Sequence, residues 1–314
     1  VTENAAMDLG ASTIGGTANF NSTSNVITDS GTLAITGATT INAGTADITL
    51  DQAASTFGAL ALTGANVAVT ENAATDLGAS TVSGTFGITS GGAITDSGTQ
   101  TITGAATFTN TAGTNDAITL DDASNAFSGT VTFSTDSGSA VTVVDTTALD
   151  LLALSSASLS VTAGGAVTDS GTLAVSGATT ISASGQDITL DEAASTFGTL
   201  ALTGANVAVT ENAATDLGAS TVGGTLGITS AGAVTDSGTL AITGATTISA
   251  SGQDITLDEA ASTFGTLALT GSNVAVTENA AMDLGASTIG GTANFNSTSN
   301  VITDSGTLAI TGAT

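Results

Sequence analysis

Residues 209–275 divide into three phrases of similar build: VTENAATDLGASTVGGTLGITSAGA (209–233), VTDSGTLAITGATTISASGQD (234–254) and ITLDEAASTFGTLALTGSNVA (255–275). Each opens on Val or Ile, then Thr, with an acidic residue within the next two positions. Each then runs through short apolar stretches interrupted by Gly, Ser or Asn. Within those stretches the large apolar residues fall on every second position, as in Thr32-Leu33-Ala34-Ile35-Thr36 and Thr199-Leu200-Ala201-Leu202-Thr203. A period of two is the signature of a strand with one face inward. No segment carries a sustained helical stripe.

The three phrases form a larger unit. TDSGT begins at Thr28, Thr95, Thr168, Thr235 and Thr303, a near-constant interval with one longer step from Thr95 to Thr168. VTENAA[TM]DLGAST begins at Val1, Val69, Val209 and Val276, and VVDTTALDLLA from Val143 is a decayed copy in the long gap. The approximate units are 1–68, 69–142, 143–208, 209–275 and a partial 276–314. Residues 1–39 and 276–314 are the same string, so the chain is expected to be one continuous array cut from a longer one.

Phrases of this length, repeated in tandem, signal a solenoid. The expected fold is all-β: a right-handed parallel β-helix, or β-solenoid, of about 21–25 residues per coil with three coils per 67-residue repeat. The phrases leave no room for crossover helices, and right-handed crossovers are the rule for parallel strands. About fourteen coils at roughly 4.8 Å each would extend some 65–70 Å. A propeller or a stack of antiparallel sandwiches is the competing architecture, disfavoured by the short phrases and the lack of hairpin dipeptides.

Composition narrows the function. The 314 residues include no Lys, Arg, His, Cys, Pro, Trp or Tyr, while 27 Asp and Glu leave a formal charge of −27. Acidity alone would suit a disordered chain, but 41% hydrophobic residues argue for a folded one. Without cationic side chains, binding to nucleic acid is not expected, nor attraction to an anionic membrane, and this segment is not expected to insert into one. Missing Lys and Arg also removes every trypsin site.

Stretches such as AITLDDASNAFSGTVTF (117–133), GANVAVTENA and GTLGITSAGAVTDSGTLAITG resemble the repeat region of filamentous-haemagglutinin-like giant bacterial exoproteins. The resemblance covers essentially the whole chain. It implies a secreted β-helical shaft at the bacterial cell surface or outside it, serving as an adhesin or a biofilm component. The lack of Cys agrees with an exported chain threaded unfolded through a pore.

Glu71, Asp96 and Asp121 fall three or four residues into successive phrases, and Glu211, Asp236 and Asp258 repeat the arrangement. Stacked as a column about 4.8 Å apart, such carboxylates would repel by roughly 0.9 kcal/mol even in water. These six are therefore the candidate metal ligands, with Ca²⁺ the ion they would suit. The competing reading is a solvated acidic edge that keeps the protein soluble, with no cofactor required. No calcium-binding nonapeptide or EF-hand loop is present.

No catalytic residues are expected. Paired carboxylates can hydrolyse glycosides, but here the acids recur in every unit rather than forming one irregular constellation. Ser and Thr lack a base and suit strands and turns, and outward threonines are too interrupted for ice binding. Phe57, Phe127, Phe197 and Phe264 hold one equivalent place per unit, too far apart to stack on one another, and are expected to fill the core. Asn21-Ser22-Thr23 and Asn296-Ser297-Thr298 are formal sequons, with turn formation the expected use of the asparagines.

The function expected is that of a structural shaft of a long extracellular filament, whose partners are copies of itself, end to end or side by side. The alternative is an adhesin whose repeats bind surface glycans or calcium. Its site would be sought in the irregular stretch 109–154, although no Trp or Tyr stands there for sugar stacking.

Overall fold

A computed structural model describes residues 1–111, 116–135, 138–298 and 300–314. Those residues form forty-one short strands and no helix. The chain divides into two compact units, Val1–Thr162 and Ala163–Thr314. Each is a parallel β-solenoid in which a strand pairs with its counterpart in the preceding and following coils.

The alternation of the sequence is the alternation of burial. Leu33 and Ile35 are buried while Thr32 and Thr36 face solvent, and in Thr196–Gly204 the buried residues include Leu200 and Leu202. Inward residues stack in columns. In the first unit Ile48, Val67, Phe86, Ala106 and Val131 lie in register. In the second, Val207, Leu226, Thr246 and Leu267 do the same. Most members are less than 3% exposed, and each fully buried Leu, Ile or Val contributes about 1.5–3 kcal/mol.

Coil length is not uniform. From Ile48 to Val67, Val67 to Phe86 and Phe86 to Ala106 the step along the chain is shorter than the shortest sequence phrase, and only the step from Ala106 to Val131 is as long as the longest. The coils are therefore tighter in places than the phrases anticipate. In the second unit three coils from Val207 end at Leu267, whereas the sequence equivalent of Val207 is Val274, further along the chain. Val274 stacks in a different column, on Ile255 and Val234. One sequence unit thus fills three coils and part of a fourth, and equivalent residues of successive units fall on different columns.

The phase advances where one strand serves two. Thr266–Gly271 is long enough to pair with two strands of the next coil, Met282–Leu284 through Leu267 and Ser287–Ile289 through Thr270 and Gly271. Here the step, from Leu267 to Leu284, is shorter than any in the two columns above. Elsewhere corners are tight turns. Ala46, Gln186 and Gln253 N–H groups donate to Ala43, Ala183 and Ala250 carbonyls at 3.0, 2.8 and 2.9 Å. Gly44, Gly185 and Gly252 supply the left-handed residue there, at φ 61°, 77° and 76°.

All four phenylalanines of the repeated place are buried, at 8, 0, 6 and 5% exposure for Phe57, Phe127, Phe197 and Phe264. Phe127 does not pack on its equivalents but joins a cluster with Phe86, Phe108 and Phe133. That cluster borders and enters the irregular stretch, of which residues 112–115 and 136–137 lie outside the described residues. A register shift between Val131 and Thr132 opposite Leu149–Ser156 leaves Leu152 40% exposed.

Candidate functional site: carboxylates that join one coil to the next

In three of the four VTEN phrases the carboxylate is a buried side chain rather than part of a solvated edge, and only Glu3 of the first phrase is exposed. Glu71, Glu211 and Glu278 are 2, 2 and 0% exposed. Their Oε1 atoms accept the backbone N–H of Phe57, Phe197 and Phe264 at 2.7, 2.8 and 2.8 Å. In the decayed unit Asp145, 2% exposed, accepts Phe127 N–H at 3.2 Å and the N–H and hydroxyl of Thr147 at 2.9 Å each. The acid takes the place of a ladder carbonyl where the phase shift leaves the Phe N–H unpaired. Burial pushes all four carboxyls above their ordinary range, Glu71 to about 7, and the Phe N–H bonds oppose it.

The TDSGT aspartates form a second set. Asp29, Asp96, Asp169 and Asp236 accept the N–H of Asp51, Asp121, Asp191 and Asp258 at 2.9, 2.8, 2.7 and 2.8 Å. The following N–H, from Gln52, Asp122, Glu192 or Glu259, lies at 3.3–3.4 Å. Each Asp thereby holds the first turn of the D-[QDE]-A segment one coil later. Desolvation raises these carboxyls and the turn N–H groups draw them back. In the same turns Ser55, Ser195 and Ser262 hydroxyls accept Leu33, Leu173 and Leu240 N–H at 3.0 Å. One copy differs by two matched changes: Gln100 stands for the Leu and Asn125 for the Ser, and Asn125 Oδ1 accepts Gln100 N–H at 2.7 Å.

Replacing Asp236 with Ala leaves the Asp258 N–H without its acceptor and should destabilise the second unit by about 1–3 kcal/mol. Replacement by Asn, which keeps an acceptor, should cost less. Urea midpoints of the two variants check this, and equal midpoints would remove the turn-holding role.

A third set lies on the exposed surface. Asp47, Asp187 and Asp254 accept both the N–H and the side-chain amide of Asn66, Asn206 and Asn273 at 2.9–3.0 Å. Each Asn in turn accepts the N–H of Thr85, Thr225 or Thr292 at 3.0 Å, so one Asp-Asn-Thr ladder links three coils. The Asn273 donors hold the Asp254 carboxyl below its usual value.

The six residues singled out in the sequence do not form a column. Glu71 stands in register with Ser90 and then Asn110, and Asp96 with Leu77. The phase advance spreads equivalent acids over different columns. Only Asp96 with Asp121, and Asp236 with Asp258, come together, joined by a carboxylate accepting its neighbour's N–H. Among the described residues no three acids gather in a way that would hold a metal ion. Asn21 and Asn296 sit within the strands Ala18–Ser22 and Ala293–Ser297, not in turns, because their places alternate outward in the ladder.

A hollow of about 310 Å³ in the first unit is lined by Thr13, Ala34, Ile35, Thr36, Thr56 and Phe57 and offers only hydroxyls and apolar groups. With no His, Lys, Cys or Arg in the chain, no hydroxyl is activated by a basic side chain of those kinds. No helix among the described residues is long and apolar enough to cross a membrane. The carboxylates serve cross-coil bonding, a role that sequence reading missed. The signal was present as a fixed separation: in three units Phe and the acid that receives its N–H stand 14 residues apart.

No curated protein and no solved structure matches the chain. One family does, in five consecutive copies over residues 1–63, 64–134, 138–203, 204–270 and 271–314. The chain therefore belongs to the family described as repeats of unknown function (DUF5649).

Proposed function

We propose that this chain is a structural segment: part of the shaft of a long extracellular bacterial filament of the filamentous-haemagglutinin-like kind, acting mechanically and catalysing nothing. The observation that carries this reading is the use made of the buried carboxylates. Each spans one coil to the next, so the polar groups that would build a site in an enzyme or a binding module are spent on continuity of the ladder. Repetition supports the same reading, because every coil contacts only its neighbours and the array lengthens without a new folding problem. The partners are further copies, placed end to end or side by side.

Electron microscopy of the native extracellular material, with and without a calcium chelator, tests this. Uniform fibres a few nanometres wide that survive chelation are the expected result. Globular particles without fibres would overturn the proposal. Fibres that dissolve on chelation would instead support the reading in which calcium is bound.

A further inference from the structure

We propose that the folded chain holds Glu278 and Asp145, with their counterparts Glu71 and Glu211, as neutral carboxylic acids, so that coil formation takes up protons and the fold tightens in acid and loosens in alkali.

The geometry carries this. All four side chains are at least nine-tenths buried, and each meets its Phe N–H through one oxygen. The second oxygen of Glu278 and of Asp145 meets no donor. Where Glu71 has the Thr75 hydroxyl at 2.9 Å, Glu278 has Met282 and Asp145 has Leu149, and the second oxygen of Glu211 meets no donor in hydrogen-bonding geometry although Thr215 is retained. A carboxylate with one oxygen unsatisfied in an apolar interior is costly to keep charged, and taking a proton is the cheaper state.

No cation relieves the charge. The chain has no Lys, Arg or His, and its terminal ammonium donates to Asn19 O. The titratable groups on the elements packed around each site are all acids. They are Asp258, Glu259 and Asp283 near Glu278, and Asp121, Asp122 and Asp150 near Asp145. Asp51 and Asp76 are near Glu71, and Asp191, Glu192 and Asp216 near Glu211. Every one that is ionised disfavours a further negative charge.

The sign follows from the Glu71 titration, raised from 4.5 to about 7 by burial. Between those values the folded chain carries the proton and the unfolded chain does not, so stability falls as pH rises. The contribution is fully present below pH 4.5 and gone above 7, a change of up to about 300-fold in the folding equilibrium from that one site. Exposed Asp254 acts oppositely and loses its contribution as pH falls below its ordinary value of 3.8.

The test compares the wild-type chain with the quadruple variant E71Q/D145N/E211Q/E278Q, which keeps an acceptor for each Phe N–H. Thermal midpoints are measured from pH 4.5 to 8 in high salt, where general repulsion is screened. The wild-type midpoint should fall by about 5–10 °C across this range, and the variant should keep only the smaller slope that the raised Asp29, Asp96, Asp169 and Asp236 carboxyls supply. A variant with the wild-type slope, or a wild type with no slope, overturns the proposal. A second measurement needs no variant: refolding wild-type chain in weak buffer at pH 6 should take up protons, and folded protein should show the infrared carbonyl band of protonated carboxyls. Absence of both would overturn it equally.

Discussion

Replacing Phe108 with Ala should lower the stability of the first unit by about 3–5 kcal/mol. Phe108 is fully buried and in register between Ile88 of the coil before and Phe133 of the coil after. Its ring lies edge-on to Phe86 and Phe127, at 5.8 and 6.0 Å between centres, and stacks on Phe133 at 5.7 Å and 18°. Each such pair adds about 0.5–1.5 kcal/mol beyond area burial, and one truncation removes three. The cavity would open beside Ala106, and Ala106 to Val131 is the longest step of its column. Phe57, 8% exposed and beside the surface hollow, is the control and should cost less when truncated. Urea unfolding measures both. A loss at Phe108 no greater than at Phe57 would mean that the rings fill space without depending on one another.

Much of this fold is legible in the sequence, because a strand with one face buried writes its orientation into every second residue. Leu33 and Ile35 had to face inward once Thr32, Ala34 and Thr36 stood between them, and the short phrases favoured stacked parallel strands over a propeller or sandwiches. The phase was not legible. Sequence repeats count residues, whereas stacking counts strands, and whether Thr266–Gly271 supports one strand or two in the next coil depends on tertiary pairing.

The same gap explains the acids. Comparing equivalent positions suggested that Glu71, Asp96 and Asp121 would stack on one another. In the folded chain the contact runs from the side chain of one phrase to the backbone of the next, as from Asp96 to the Asp121 N–H. Backbone donors leave no residue-type mark in a sequence, only a spacing such as the 14 residues from Phe57 to Glu71. What does leave one is a matched exchange such as Gln100 with Asn125 against Leu33 with Ser55, where two changes a coil apart preserve a single hydrogen bond. The buried hydroxyls of Thr179 and Thr246, which meet no partner, have no such mark and no function evident in the fold.

Gly244→Ala should destabilise the second unit by about 3 kcal/mol, while Gly227→Ala should be neutral or stabilising by about 0.4–1 kcal/mol. Gly244 lies at a corner between Gly224 and Gly265; its N–H donates to Gly224 O at 2.8 Å, and its own carbonyl accepts the Gly265 N–H at 3.2 Å. A Cβ there would stand 2.5 Å from Gly224 O and 2.7 Å from Gly224 C. Those are backbone atoms held by the ladder, so no rotamer change relieves the overlap and the coils themselves must separate. At Gly227 the nearest atom to an added Cβ is Val207 O at 3.9 Å, and the side chain would project from a strand with room to spare. Neither residue has the left-handed backbone of Gly252, so the contrast isolates close approach from backbone strain. Thermal midpoints of the two variants decide it, and similar midpoints would mean that the corner yields. The same approach recurs at Gly104 and Gly129, where an added Cβ would stand 2.4 Å from Gly84 O and from Gly104 O. If the clash at Gly244 is as severe as the geometry requires, glycine at these corners sets the spacing of the coils, and the apolar columns fill the interval that the corners allow.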